Sequence, residues 1–407
     1  MIGCDMKRDA WFFFFASMII VFFSYKEFHL IFNAERYSEW FPSFCKIMLP
    51  VCCIVENILL VRQKRIVTKD VFVAIYPVVV YLLMLLNPYE EYKIGHGILP
   101  LLLGVQFFLL NDDTKARIFY LFYRLFVFLS LISILIWFLY FLFGTGVFLE
   151  MPYYSDRPLE KYFVLGPVGI FVIDVPGYIG RLCGVFNEPG GMGTICGLLI
   201  ALTFSIAQKK DIFLIFVAGC LTQSAAFFCI VCLVLVFYCL KKDIVFGIFL
   251  IALLINIIFL IPYLNFDNDW LNNLVQRFAF VDGHFVGDNR TTAGFDYFFH
   301  NFVNSDAVFF GYGDGFDAYE RGNSSYKEYI VKYGVVGFCG LVIYLICISF
   351  WYIRHDVMLG LYLFLFILSL YQRTYPLISL SGYLLLFGGY AFYIGKKKCS
   401  LNIKKYK

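Results

Sequence analysis

Long apolar runs separated by short polar segments dominate the chain. A helix needs about 20 apolar residues to cross a bilayer, and many of the runs approach or exceed that length. This pattern predicts an all-α, polytopic integral membrane protein. The runs occupy residues 11–25, 43–61, 71–87, 94–110, 118–143, 189–207, 212–240, 244–262, 331–352, 357–372 and 377–394.

The run 212–240 is long for one spanning helix and short for two. Two lysines precede it (209–210) and two follow it (241–242). Because Lys and Arg concentrate on the cytosolic side of membrane proteins, we expect both ends to face the cytosol. That requires a hairpin of two short helices turning near residues 222–224. The chain then has about 12 transmembrane helices, with both termini in the cytoplasm.

This topology leaves two long segments outside the membrane, 145–187 and 263–330, while the cytosolic connections are short. Both segments are rich in aromatic residues. We therefore expect short helices lying on or dipping into the membrane face rather than disorder. No repeat or separate soluble module interrupts the chain, so residues 1–407 are interpreted as a single integral membrane domain. Its chemistry is then extracytoplasmic, away from ATP and nucleotide sugars.

The amino-acid composition excludes a soluble globular protein. Apolar residues make up 61% of the chain and charged residues 15%, whereas a soluble domain is nearer half apolar and a quarter charged. The cysteines lie mostly in apolar runs and do not indicate a disulfide framework. Cys229-x-x-Cys232 lies in such a run without His or acidic neighbours. It is interpreted as a pair of small packing residues rather than a redox or zinc site.

The first candidate site is the point where segment 145–187 returns to the membrane. The chain reads Arg-Leu-Cys-Gly-Val-Phe-Asn-Glu-Pro from Arg181 to Pro189, followed by Gly-Gly-Met-Gly. An ionisable pair at a membrane edge points to a polar substrate. A guanidinium can hold a pyrophosphate in bidentate fashion, and the Glu188 carboxylate can receive a proton from a sugar hydroxyl. The glycines fit close helix packing or a phosphate at a helix N-terminus.

The second candidate site is segment 263–330. Arg277 and Arg290 are its candidate anion-binding residues, and pairing with a loop carboxylate is the alternative for each. His284 titrates in a range suited to a base, although a lone loop histidine is more often incidental. Asp267-x-Asp269 is interpreted as a solvated turn rather than a metal site.

Motifs in the second half of the chain resemble one protein family. They are Arg-x-x-Gly-x-Phe-x-Glu-Pro at 181–189, Gly-Tyr-Gly-Asp-Gly-Phe at 311–316, and small polar residues at 323–325 ahead of Tyr-Gly-x-x-Gly at 333–337. Ser224, in the hairpin turn, stands where the family commonly has a serine. The chain thereby resembles the Wzy-type membrane polymerases of bacterial O-antigen and capsule synthesis, and their relatives the O-antigen ligases.

Two positions depart from the family pattern. Ligases typically present a histidine near Asn323, and the asparagine here favours a polymerase over a ligase. Relatives often carry a basic residue just after the hairpin serine, where this chain has Ala225. The resemblance covers roughly residues 180–340, and the N-terminal half matches only in its number of helices.

The resemblance implies a function. It implies a GT-C-like fold in the bacterial inner membrane, with an extracytoplasmic active face and no metal or cofactor. The reaction would be polymerisation by inverting glycosyl transfer, with an undecaprenyl-pyrophosphate-linked oligosaccharide as both donor and acceptor. Besides the bilayer, a chain-length regulator and a flippase would be partners, and nucleic acid would not. The implied site residues are Arg181, Glu188 and Arg290 for catalysis, and Arg277, Gly184, Asn323, Ser324, Tyr326 and His284 for substrate binding.

Two alternatives fit the same sequence. An O-antigen ligase would share the fold and differ in its acceptor. A lipid-linked oligosaccharide flippase would not be an enzyme, and it would line a central cavity with charged side chains along its spans. This chain carries few charges in its apolar runs and places its candidate arginines in the outer segments, which favours the enzyme.

Overall fold

The structure is a computed structural model that describes most of the chain from residue 112 onward. Four of the predicted spans, 11–25, 43–61, 71–87 and 94–110, lie outside the described residues. The residues described are 112–151, 161–165, 169–173, 179–186, 188–264, 266–267, 269–276, 278–281, 284–285, 292–313, 325–371, 382 and 384–405.

The chain divides into two compact units, which are described separately. One is Leu125–Asn289, and the other combines Met1–Arg124 with Arg290–Lys407. The first begins within α1 (Asp112–Phe143), a helix of 32 residues. Buried positions recur along α1 every three or four residues, whereas Phe128 and Leu135 on another face are exposed. This spacing gives a helix one packed face and one apolar face directed away from the protein.

An antiparallel sheet follows α1 in the first unit. Its strand order is β1 (Leu149–Met151), β2 (Lys161–Leu165), β3 (Gly169–Ile173) and β4 (Arg181–Gly184). The middle strands are rich in the aromatic and β-branched residues that favour a pleated surface. Apart from a 3-10 helix at Gly144–Val147, the regular structure in the described residues of segment 145–187 consists of strands. The expectation of short helices is wrong for those strand residues. The heavily aromatic composition of this segment was compatible with a sheet as well.

Four helices complete the packed part of this unit. They are α2 (Pro189–Thr203), α3 (Lys209–Leu221), α4 (Ala225–Lys242) and α5 (Ile244–Leu260). Every residue of α2 is buried, so this helix forms the centre of the unit. The predicted hairpin in the run 212–240 is confirmed, because α3 and α4 are separated by a turn at residues 222–224.

The first unit ends in short elements. A 3-10 turn (Ile261–Tyr263) leads to α6 (Asp269–Gln276) and then to a two-stranded antiparallel pair, β5 (Phe280–Val281) and β6 (His284–Phe285). The Gln276 side chain donates to the carbonyl of Leu264 at 2.8 Å, which ties α6 to the end of the preceding turn.

The second unit consists of helices in its described part. They are α7 (Ala293–Val303), α8 (Tyr326–His355), α9 (Val357–Leu370) and α10 (Gly389–Lys405), with a π-helical turn at Leu384–Gly388. Two buried tyrosines serve that turn: Tyr352 donates to the carbonyl of Leu386 at 2.8 Å and Tyr362 to that of Leu385 at 2.9 Å. Phenol groups thus satisfy π-turn carbonyls that an apolar environment would leave unpaired.

Four helices are long and apolar enough to cross a membrane: Lys115–Val147, Ala225–Lys242, Ile244–Tyr263 and Tyr326–His355. Only 11% of the most apolar window in Ile244–Tyr263 is buried within the protein. A helix that is apolar on all faces and mostly uncovered fits a lipid environment. In the described region the protein therefore has the character of a helical membrane protein. The count of about 12 spans and the GT-C-like fold stay predictions.

Candidate functional site

The structure brings together three segments that the sequence singled out separately. Arg181 at the start of β4 donates its Nε–H to the carbonyl of Thr222 in the hairpin turn at 3.2 Å, across 41 residues of chain. Gly193, in the first turns of α2, packs against the same turn. We call the following residues the Arg181 cluster: Arg181, Gly193, Thr222, Gln223 and Ser224.

Two aromatic residues of α1 fix the backbone just before Arg181. Trp137 donates its indole N–H to the carbonyl of Gly180 at 2.7 Å, and the Gly180 N–H donates to the hydroxyl of Tyr140 at 3.2 Å. On the other side, the amide of Gln223 lies 3.5 Å from the carbonyl of Ile179, to which it donates. The segment carrying Arg181 is thus held from two directions. Trp137 and Tyr140 were not among the predicted site residues, because in the sequence they resemble any interfacial aromatic residue of a membrane span.

The turn of the hairpin packs directly on α2. A Cβ placed on Gly193 would lie 2.5 Å from Ser224 Cβ and 2.8 Å from Thr222 Oγ1. Only glycine permits that approach, so Gly193 serves close helix packing, one of the two alternatives predicted for the glycines that follow Pro189. The hydroxyl of Thr222 donates to the carbonyl of Gly219 at 2.6 Å and accepts from the Ser224 N–H at 3.2 Å.

Gln223 adopts a left-handed backbone conformation, with φ of 50°. Among the described residues it is the single non-glycine residue with positive φ. Such a conformation costs of order 1–3 kcal/mol at a non-glycine residue, and it persists where surrounding contacts impose it. Here those contacts are the hydrogen bond from Arg181 to the preceding carbonyl and the packing of Ser224 on α2. Strain in a polar turn is a feature found at functional sites.

Glu188 occupies the N-cap position of α2 and has an extended backbone (φ −147°, ψ 149°). Its carboxylate does not cap the helix, and Pro189 takes the first helical position. A proline there sacrifices no hydrogen bond, because the first N–H groups of a helix have no intrahelical partner. Glu188 is half-buried, whereas the residues that follow it in α2 are all buried. Its side chain therefore belongs to the margin of the packed core.

Gly184, a predicted substrate-binding residue, is buried and has φ of +64°. A Cβ at this position would lie 2.7 Å from the sulfur of Met192 and 3.2 Å from Ser133 Oγ. The backbone conformation and the close neighbours explain a glycine here without a ligand. Whether Gly184 also contacts a substrate stays a prediction.

Two glycine motifs of the second unit, the one that begins at residue 311 and the one at 333–337, lie side by side and are joined by hydrogen bonds between backbone groups. The helix α8 is broken at Gly334, where φ is 67° and ψ 178°. At the break, Tyr312 and Gly313 donate their N–H groups to the carbonyls of Val331 and Lys332 at 2.8 and 2.9 Å. We call this arrangement the glycine clasp. It gives both motifs a structural role in holding a kinked helix.

Steric contacts make the glycine clasp specific for glycine. A Cβ on Gly334 would lie 2.1 Å from the carbonyl oxygen of Phe309, and a Cβ on Gly311 would lie 2.3 Å from that of Lys332. Both residues have positive φ. Aromatic side chains pack beside the clasp, with Phe302 and Tyr312 ring centroids 5.4 Å apart.

Tyr326, another predicted substrate-binding residue, begins α8. Its ring stacks on Tyr371 with centroids 5.5 Å apart, and its N–H donates to the carbonyl of Tyr371 at 3.3 Å. These contacts join the start of α8 to the end of α9. The preceding Ser325 caps α8 by accepting a hydrogen bond from the N–H of Lys327 at 3.3 Å.

The remaining predicted site residues are not placed by the structure. Arg277, Arg290, Asn323 and Ser324 lie outside the described residues. The backbone of His284 pairs with Val281 in the β5–β6 hairpin, and its side chain is outside the described part. Within the described residues, no group of three His, Cys, Asp or Glu side chains is arranged to hold a metal ion.

No family model, no curated protein and no solved structure matches this chain. The functional interpretation therefore rests on the residues themselves and on the contacts that the structure shows for them.

Proposed function

We propose that this protein is a membrane glycosyltransferase that polymerises lipid-linked oligosaccharide repeat units into a surface polysaccharide, as Wzy-type polymerases do. The observation that carries the proposal is the hydrogen bond from Arg181 to the carbonyl of Thr222. It joins two segments whose resemblance to the family was noted independently in the sequence. A cation is thereby held beside a strained polar turn and a glycine-rich helix start.

Arg181 fits the stabilisation of a departing pyrophosphate. Its guanidinium has five N–H donors, and the bond to Thr222 uses one of them in fixing the group. A cation fixed before the reaction stabilises the charge that develops in the transition state without reorganising at that moment. The resemblance assigns the same role to Arg290. Arg277, Asn323, Ser324, Tyr326 and His284 are proposed to bind the oligosaccharides, together with Gly184.

The reaction is an inverting displacement at the donor sugar. A hydroxyl oxygen of the acceptor sugar attacks the anomeric carbon, and the bond from that carbon to the pyrophosphate oxygen breaks. The hydroxyl proton passes to the carboxylate of Glu188, acting as general base. The pyrophosphate leaves on its polyprenyl carrier, and the polymer stays on the carrier of the acceptor.

The active face is proposed to be extracytoplasmic, in the inner membrane of a bacterium with both termini in the cytoplasm. The lysine pairs at 209–210 and 241–242 support this orientation, because basic residues favour the cytosolic side. They flank a hairpin whose turn lies at the opposite end, next to Arg181. Lipid-linked repeat units on the outer face would thus meet the Arg181 cluster.

The proposal is tested by the surface glycan of a strain that lacks this chain. We expect single repeat units on the lipid A core without a polymer ladder, or loss of the polymer where the glycan is a capsule. Arg181→Ala should reproduce that pattern. Arg354→Ala, at an exposed position near the end of α8, is the matched control and should restore the ladder.

Other glycan patterns would contradict the proposal. A bare core with finished polymer retained on the lipid carrier would indicate a ligase. Unpolymerised units accumulating on the cytosolic side would indicate a flippase, and movement of the lipid-linked sugar across vesicles without bond formation would establish it. In that case the roles assigned to Arg181 and Glu188 would be wrong.

A further inference from the structure

A cavity of about 250 Å³ opens between α2, α3 and α4, away from the Arg181 cluster. Its floor consists of the buried residues Ile200, Val231 and Val234. We call it the α2–α4 groove. The other lining residues are Phe204, Lys209, Ile212, Phe213, Phe216 and Leu235.

The lining of the α2–α4 groove suits a hydrocarbon chain. Eight of the nine lining residues are apolar, and Lys209 is the exception. A sugar would lose hydrogen bonds to water there without finding replacements, which is unfavourable for every buried hydroxyl. The volume is below the ~300–1,000 Å³ typical of sites that enclose a whole small molecule. The groove therefore fits part of an aliphatic chain whose other end lies outside.

Lys209, the first residue of α3, is the exposed cation at the rim of the α2–α4 groove. Both α3 and α4 extend away from the turn at residues 222–224, which ends α3 and precedes α4, but α3 has 13 residues and α4 has 18. At about 1.5 Å per residue, the first residue of α3 therefore lies roughly 7 Å nearer the turn than the last residue of α4. The rings of Phe204 and Tyr238 are 5.3 Å apart, which places the connection between α2 and α3 beside α4 before that helix ends.

The lysines at the end of α4 therefore extend farther toward the membrane surface than Lys209. Lys209 and the two lysines at 241–242 are all exposed. A lysine nearer the hydrocarbon keeps its charge by extending its side chain to the interface or by contacting an anion. Asp211, the carboxylate in the same first turn of α3, is buried. An exposed cation at the rim of an apolar groove suits the phosphate of a lipid whose chain occupies that groove.

We propose that the α2–α4 groove binds one anionic phospholipid, with an acyl chain against Ile200, Val231 and Val234 and the headgroup phosphate at Lys209. The negative surface of a bilayer attracts basic residues by about 1 kcal/mol each, and the groove adds a place for the chain. The site is independent of the proposed glycosyl transfer, since it lies at the other end of the α3–α4 hairpin from Arg181.

Lipid retention by the purified full-length protein tests the site. The protein is delipidated in detergent, titrated with phosphatidylglycerol or with phosphatidylcholine of the same acyl chains, and examined by native mass spectrometry. We expect one phosphatidylglycerol to bind more tightly than phosphatidylcholine. Lys209→Gln should weaken phosphatidylglycerol binding about fivefold, the effect of one charge near a membrane surface. Lys210→Gln, which does not line the groove, should change it less than twofold.

A second pair of variants tests the apolar part of the groove. Leu235→Trp fills it from the rim, and Leu253→Trp on α5 is the matched control, since both leucines are 43% exposed. We expect the first to reduce phosphatidylglycerol binding and the second to leave it unchanged, with equal elution profiles of the two proteins. If Lys209→Gln does not fold, this pair of variants still tests whether the α2–α4 groove binds the lipid.

Three outcomes would overturn the proposal. One is equal binding of the two phospholipids, unaffected by either groove variant. Another is the absence of any retained lipid in the unaltered protein. The third is displacement of phosphatidylglycerol by a polyprenyl phosphate, which would show that the groove holds the tail of the carrier lipid.

Discussion

The Arg181 cluster and the glycine clasp both contain residues by which the chain resembles the polymerase family, yet they differ in kind. In the Arg181 cluster a charged side chain is bound to the backbone of a distant turn. In the glycine clasp, backbone groups bind backbone groups, and glycines are required for steric reasons. A motif shared with the polymerase family therefore does not by itself identify residues that take part in a reaction. Substitutions should separate the two regions, with stability affected in one and activity in the other.

The largest effect is expected in the glycine clasp. Gly334→Ala should lower the free energy of unfolding by about 2–5 kcal/mol, from a left-handed backbone penalty and a clash with the Phe309 carbonyl. Thermal unfolding in detergent measures this change. Gly340→Ala in the same helix is the control, because a Cβ there meets nothing within 4 Å. Equal unfolding temperatures for the two variants would show that the kink is not imposed by packing.

For Arg181→Ala we expect a large loss of activity and a small loss of stability. Polymerisation should fall about 100-fold, as for other groups that stabilise a transition-state charge. The free energy of unfolding should fall less than for Gly334→Ala, since a single hydrogen bond contributes about 1 kcal/mol and no backbone clash is introduced. Arg181→Lys keeps the charge and loses the planar donor geometry, so it should recover part of the activity. A large loss of stability with unchanged activity per folded molecule would assign Arg181 a structural role.

Asp356 lies outside both regions, and its contribution to stability is electrostatic. It caps α9, accepting from the Met358 N–H at 2.8 Å, and it also accepts hydrogen bonds from Lys397 and Tyr393. Burial would raise the pKa of this carboxyl, but the hydrogen bonds from Lys397, Met358 and Tyr393 outweigh burial and the pKa is lowered. Asp356→Asn should lower the free energy of unfolding by about 1–3 kcal/mol at neutral pH.

The effect of Asp356→Asn should depend on pH in one direction. A carboxyl whose pKa is lower in the folded state stabilises the protein above its unfolded pKa, which is about 4 for Asp. As the pH falls through the folded pKa, that stabilisation is lost. Thermal unfolding between pH 7 and pH 3 should therefore show the difference between wild type and variant shrinking in acid. Asp306→Asn, at an exposed position, is the control for the substitution itself.

The smallest effect is expected at Gln223 in the Arg181 cluster. Gln223→Gly removes the cost of a left-handed non-glycine residue, and it should stabilise the protein by up to about 1 kcal/mol. Gln223→Ala keeps the backbone strain and removes the side-chain amide, so it should not stabilise. If activity falls in both variants while only the first gains stability, the side chain is needed for function. Equal stability of the two variants would argue against strain in this turn.

Helix positions within the described residues followed from the sequence. The lysine pairs and the polar break at residues 222–224 located the hairpin, because charge and hydrophobicity act locally on where a helix ends. Pro189 likewise marked the start of α2. The sheet in segment 145–187 was not foreseen, since its aromatic and β-branched residues are equally common at a membrane interface.

The candidate site residues were chosen by residue type. The environment of each residue could not be predicted from the sequence. Arg181 and Glu188 were selected because a charge at a membrane edge is unusual, which is a property of the sequence alone. The partner of Arg181 is a backbone carbonyl, a group that every residue carries. Within the described residues, hydrophobic pattern and charge therefore determined where the long apolar helices lie and where the basic ends of the hairpin lie. Only the tertiary structure decided which carbonyl meets Arg181 and which glycines are required, because both depend on the distance between backbones far apart in the chain.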